Sequence, residues 1–263
     1  MGGRTNLFGE QLRTWRQRRR LSQMGLALEA QISTRHLSFL ETGRAQPSRE
    51  MVLLLADHLA TPLRDRNLML AAAGFAPVYS HRSLDDPALA AARRAVDLIL
   101  KGHEPFPALA VDRHWNMVSA NASVGPLLEG VAPHLLAPPV NIMRLALHPE
   151  GLAPRIANLA EWRDHLMERL SQQARAAGDG GLDALLDELR AYPVPAAADV
   201  RAANLGGVAV TFKLLVGDRL LSFISTTTVF GTATDITLAE LTLETFFPAD
   251  QPTAEALRRL AGD

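Results

Sequence analysis

The first 75 residues alternate apolar stripes with polar faces at helical spacing. Phe8, Leu12 and Trp15 recur at intervals of three and four, predicting a helix that runs into the tract Arg16-Gln17-Arg18-Arg19-Arg20. Ser22 is a good N-cap for a second helix carrying Leu26 and Ala27, and Ser33 for a third with Leu37 and Leu40 turned inward. The link between these two helices is Glu29-Ala30-Gln31-Ile32, and Gly43 stops the third where left-handed backbone costs least. Pro47-Ser48 opens a fourth helix with Met51, Leu55 and Leu59 on one face. Pro62 opens a fifth, which ends at Gly74 before Pro77.

The pattern then changes. Helical spacing covers about 85–101, 121–129, 154–176 and 182–191. Between and after these lie strand-like runs at Ala108–Asp112, Trp115–Ala120, Val208–Val216, Leu220–Phe230 and Ile236–Phe247. Gly217-Asp218, between two apolar β-branched runs, predicts a hairpin turn, and Arg113-His114 predicts another. Gly178-Asp179-Gly180-Gly181 is expected to be a loop and Tyr192–Ala198 a connection. The expectation is an all-α head of five helices over residues 1–79. An α+β body over 80–263 follows, its antiparallel sheet covered on one face.

Charge divides the chain in the same place. Residues 1–79 carry a net charge of +5 and the remainder −6, within a total of −1. A basic block joined to an acidic one points to a head that binds a polyanion. Composition narrows the chemistry of the rest. Cysteine is absent, so disulfides, thiolate metal sites and cysteine nucleophiles are excluded. Neither lysine, Lys101 or Lys213, is followed by Ser or Thr, which excludes a G-x-x-x-x-G-K-[ST] phosphate loop. The His103-Glu104 pair is followed by Pro105 and Pro107, which forbid the helix a zinc peptidase needs. No nucleophile elbow or dinucleotide fingerprint occurs, and the eight histidines show no metal-ligand spacing. The expectation is a binding protein with no cofactor and no metal. With no leader pattern and no apolar run near ~18 residues, it is expected in the cytoplasm and off the membrane.

Specific residues now bear on identity. LRTWRQRRRLSQMGLALEAQISTRHLSFLETGRAQPSREMVLLLADHLATPL resembles the Cro/repressor-like helix-turn-helix family over about sixty residues. The opening Leu21-Ser22-Gln23, the stretch from Leu37 through Glu41 to Gly43-Arg44, and Pro47-Ser48 carry the likeness. The resemblance implies double-stranded DNA as partner, with Thr34, Arg35 and Phe39 on the base-reading face of the third helix. Arg35 suits a bidentate grip on a guanine edge, and Thr34 or Phe39 a thymine methyl group. Gln23, at the opening of the second helix, suits a phosphate; His36 and Ser38 suit phosphate or base, and Arg44 a phosphate. Phe39 has the opposite reading open to it, as core filling between helices. Arg16 matches the family position that pairs with the acid at Glu41, a structural role, and Arg18, Arg19 and Arg20 are expected to be solvated or near phosphate.

The likeness continues past the head. PLRDRNLMLAAAGFAPVY, ALAVDRHWNMVSANASVGPLL and FISTTTVFGTATDITLAELTLETFFPAD resemble regulators that join a Cro-like head to an MmyB-like, PAS-like ligand-binding domain. The chain departs from that family in PVPAAADVRAANLGG, which lacks an aromatic signature. The resemblance implies an apolar pocket for a small, fatty-acid-like molecule and a homodimer on a palindromic operator. Trp115, Trp162, Leu166, Phe212, Phe223 and Phe230 are candidates to line the pocket, with Asn116, Asn121 and Arg163 as polar anchors. The competing reading makes the body only a dimerisation or docking module, its aromatics ordinary core.

Overall fold

A computed structural model describes residues 6–193 and 210–262. Five helices come first: α1 (Leu7–Arg18), α2 (Gln23–Glu29), α3 (Thr34–Glu41), α4 (Arg49–His58) and α5 (Leu63–Ala72). Four of them begin at side-chain caps. Asn6, Ser22, Ser33 and Ser48 accept the backbone N–H of Gly9, Gly25, His36 and Met51, each satisfying a donor that the first helical turn leaves open. Gln31 (φ 55°) and Gly43 (φ 72°) take left-handed backbone on either side of α3 and so fix where it starts and stops. Leu12, Leu26, Leu37, Leu40, Leu55 and Leu70 are wholly buried at the centre. On α4 the inward stripe is Val52, Leu55, Ala56 and Leu59, while Met51 stays half-buried, so the expected face is rotated by one residue.

Arg19 departs from its expected role. Its Nε donates to the Leu59 carbonyl at 2.7 Å and its Nη2 to the Ala60 carbonyl at 2.8 Å. A cation there closes the electronegative C-terminal end of α4. Arg18 and Arg19 also lie over the Trp15 ring, at 5.0 and 5.6 Å from its centroid.

The remaining elements are α6 (Ala90–Gly102), β1 (Ala108–Val111), β2 (Met117–Ala120), α7 (Ile142–Leu147), α8 (Leu159–Ala177), α9 (Gly180–Ala191), β3 (Phe212–Val216), β4 (Arg219–Val229), α10 (Ile236–Ala239), β5 (Thr242–Pro248) and α11 (Gln251–Leu260). The strands form one antiparallel sheet in the order β2-β1-β5-β4-β3. Both expected hairpins are present, with Gly217 at φ 60° in one and Trp115 at φ 67° in the other.

Several boundaries differ from those the sequence predicts. Pro126 sits inside 122–128, which winds as 3-10 helix. Asp179 caps α9 and draws Gly180 and Gly181 into it, so the loop there is shorter than expected. Asp235 accepts the Thr237 N–H at 2.9 Å and starts a helical turn, so the run from Ile236 is strand only from Thr242. Of the run expected at Val208–Val216, residues 208 and 209 lie outside the described residues. The sheet is covered on both faces rather than one. Val96 and Leu100 of α6 pack on Ala108, Ala110 and Leu243, whereas Leu109, Val111, Phe212, Leu214, Leu221 and Phe223 face the larger core with α8 and α9.

The chain divides into two compact units. One runs to Arg82 and takes in Thr232–Ala239, where Asp235 accepts from Arg82 at 3.1 Å and the Ile236 N–H donates to the Ser80 carbonyl at 2.8 Å. The other comprises Ser83–Gly231 with Glu240 onward.

Candidate functional site

In the helical unit, α3 turns Leu37, Leu40 and Glu41 inward and leaves Thr34 and Arg35 exposed, with His36, Ser38 and Phe39 half-buried. Phe39 is neither core nor bare. The Arg35 guanidinium lies 5.3 Å from its ring centroid and that of Arg44 5.9 Å, so the ring is flanked by two cations. The loop after α3 folds back on the same residue, the N–H groups of Arg44 and Ala45 both donating to the Phe39 carbonyl. Thr34, Arg35, Ser38, Phe39 and Arg44 therefore share one surface, basic with an apolar centre.

What holds α3 in place is a buried ion pair. Arg16 Nε donates to Glu41 Oε1 at 2.6 Å and Nη2 to Oε2 at 3.0 Å, and a third N–H reaches the Leu21 carbonyl. Glu41 is 3% exposed. Two further groups serve the same carboxylate: Gln23 Nε2 at 2.8 Å and Arg13 Nε at 3.5 Å. Burial pushes the Glu41 carboxyl up, but the hydrogen bonds from Arg16 and Gln23 and the charges of Arg16 and Arg13 outweigh it and hold it below its ordinary range. Gln23 thus has a structural partner as well as its place at the opening of α2. Arg13 and Asn6, whose Nδ2 donates to the Glu41 carbonyl, join this network without having been singled out from sequence.

In the α+β unit an apolar cavity of about 90 Å³ lies between the sheet and the helices. Trp162, Leu166 and Arg169 reach it from α8 at positions i, i+4 and i+7. Phe212, Phe223 and Phe246 reach it from the sheet, with Phe212 stacked between Trp162 at 5.0 Å and Phe223 at 5.8 Å. Trp115 closes one side in left-handed backbone, a conformation that costs an aromatic residue of order 1–3 kcal/mol and persists where surroundings impose it. Its indole N–H donates to Gln173 Oε1 at 2.7 Å.

Five of the nine residues expected at the pocket are brought together here: Trp115, Trp162, Leu166, Phe212 and Phe223. The other four lie elsewhere, each for a local reason. Asn121 spends its amide on the Leu100 and Phe106 carbonyls and the Ala108 N–H, tying α6 to β1. Asn116 is held between Asp112 and Asn141. Arg163 is one residue round α8 from Trp162 and caps the carbonyl end of α9 through Leu189 and Arg190. Phe230 packs with the cluster on the opposite face of the sheet. Sequence reading missed the cavity's charges, Arg169 and Glu244. A lone acid at an inward position of the run Leu241–Phe247 was the available signal, since a buried carboxylate needs a partner.

One grouping corrects the expectation of scattered histidines. His134, His148 and Glu150 bring ligand atoms within 4.8 Å of one another, across a fold that sequence spacing does not show. His148 Nδ1 accepts the Glu150 N–H at 3.1 Å, which leaves its proton on Nε2. The ring meets a cation only after breaking that bond, and His134 and Glu150 are exposed.

Among the described residues, no helix is long and apolar enough to cross a membrane. No curated protein matches the chain. A family profile described as a helix-turn-helix domain matches residues 7–69, and a second, described as the MmyB-like transcription regulator ligand binding domain, matches residues 92–260. The chain belongs to the MmyB-like transcription regulators, joining a helix-turn-helix to a ligand binding domain.

Proposed function

We propose that the protein is a homodimeric one-component regulator, working in the cytoplasm by binding rather than catalysis. Its α3 helices read a palindromic operator, and its α+β units hold a small, fatty-acid-like molecule that alters affinity for DNA. The observation that carries the DNA half is the outward face of α3, with Thr34 and Arg35 exposed and Ser38 and Phe39 half-buried beside them, on a helix fixed from behind by the Arg16–Glu41 pair. Such a surface fits the major groove, and two copies fit half-sites about one turn, or roughly 34 Å, apart. In this reading Gln23, His36 and Arg44 contact phosphate.

The cavity supports the ligand half. At roughly 10–15 Å³ for each water-sized position, about 90 Å³ leaves room for a short hydrocarbon chain amid aromatic walls. The sheet order β2-β1-β5-β4-β3 supports the PAS-like reading. A docking module would need an interior filled by its own side chains, and the cavity counts against it. Native mass spectrometry of the purified protein, followed by denaturing extraction, tests the ligand half. A co-purifying apolar molecule near one per chain is expected. Selection of binding sites from random duplexes tests the DNA half, with a palindrome expected; a chain that stays monomeric on its selected site sinks the dimer.

A further inference from the structure

The cavity carries two charges, and they cancel. Among its described lining residues Arg169 and Glu244 are the basic and acidic side chains. Arg169 Nη1 donates to Glu244 Oε2 at 3.0 Å, while Nη2 donates to Oε1 and, at 2.7 Å, to Thr227 Oγ1. The guanidinium also covers the Trp115 ring, 4.6 Å from its centroid. Glu244 is 3% exposed, so the pair is shielded from water on its acidic side. Both Nη groups of the cation are therefore committed to groups of the protein itself.

A ligand carboxylate brought to this pair would place a second anion against one cation in an apolar setting. That is the arrangement in which one of two carboxyl groups keeps its proton. No second cation comes from His165, one turn earlier on α8. Burial and the charge of Arg169 hold its imidazole below the usual histidine range, against the weaker pull of Glu244. Resting on the ligand-binding reading above, we infer that the molecule enters with an uncharged polar end, as a hydroxyl, an ester or a protonated acid. The Arg169–Glu244 pair is then the specificity determinant that turns free carboxylates away.

Two probes of equal chain length, 1-octanol and octanoate, separate these cases. Their binding to the full chain is followed by the change in tryptophan fluorescence at about pH 7.5, where octanoate is ionised; Trp115 and Trp162 line the cavity and Trp15 lies in the other unit. Octanol is expected to bind at least about tenfold more tightly than octanoate. Glu244→Gln keeps an acceptor for Arg169 and deletes the competing charge. It should raise octanoate affinity about tenfold and leave octanol within about threefold. Octanoate binding as tightly as octanol to the unaltered protein overturns the inference, and that ratio decides the matter even where the variant fails to fold. A folded Glu244→Gln protein with an unchanged ratio overturns it too. If neither probe binds, the ligand-binding reading itself has failed.

Discussion

Glu41 concentrates several demands in one carboxylate: it receives Arg16, Gln23 and Arg13 while almost fully buried. Removing one member of the main pair leaves a buried charge without its partner. Arg16→Met is therefore expected to lower stability by about 3–5 kcal/mol in urea denaturation, and an effect below 1 kcal/mol would show the pair to be dispensable. The lowered pKa sets the sign with pH. Its contribution is full above the unfolded value of 4.5 and is lost as pH falls through the lower folded value, so Glu41→Gln should flatten the acid limb of the stability curve. At the proposed reading surface, Arg35→Ala is expected to relax preference at one base pair by about 1–3 kcal/mol. Gln23→Ala should weaken all operators alike and, having lost its bond to Glu41, lower stability as well. Two identical specificity profiles would refute the division of labour. Helical spacing placed Leu37 and Leu40 inward on α3, whereas the base-reading role given to Thr34, Arg35 and Phe39 came from the resemblance. For Arg169 and Glu244 only half was legible: Glu244 stands out as a lone inward acid, but its partner on α8 lies 75 residues away and leaves no mark in local spacing.

Most helices and strands were legible in type and less so at their edges, while α7 and α11 were not foreseen. Serine caps announced α2, α3 and α4, and the five helices followed from apolar periodicity. The run from Ile236 was misread because Ile236, Thr237 and the apolar residues after them suit a strand, whereas one aspartate cap suffices to wind its first turn. The second covered face of the sheet was missed because Ala108 and Ala110 are small; they admit α6 closely without advertising a core. Packing between elements also reverses an ordinary propensity. Gly9 lies inside α1, where alanine normally stabilises a helix by about 1 kcal/mol. A Cβ there would meet the Glu41 carbonyl oxygen at 2.5 Å and that of Leu40 at 2.6 Å, backbone atoms at the end of α3. Gly9→Ala is therefore expected to destabilise the helical unit by about 1–3 kcal/mol and to weaken DNA binding through displacement of α3. A thermal midpoint equal to or above that of the unaltered protein would contradict the close approach.

At the scale of the whole chain, the helical unit and the α+β unit have separate hydrophobic clusters with no residue in common. A ligand that fills the cavity stabilises the unit that contains it, by about 2.7 kcal/mol at a hundred times its Kd. For a domain of this size that is a rise of roughly 5–10 °C in the midpoint of the α+β transition. Regulation demands more than stabilisation. A ligand changes affinity for DNA only if it binds the DNA-competent state and the incompetent state unequally. The coupling is then reciprocal: whatever factor octanol applies to operator affinity, operator must apply to octanol affinity. Measuring both from the same full-length protein, by fluorescence anisotropy of labelled operator and by tryptophan quenching, should return one factor, expected at about 5–150-fold. A factor of one in both directions, with octanol bound and the α+β transition raised, would mean that the cavity senses without signalling to the DNA-reading helix.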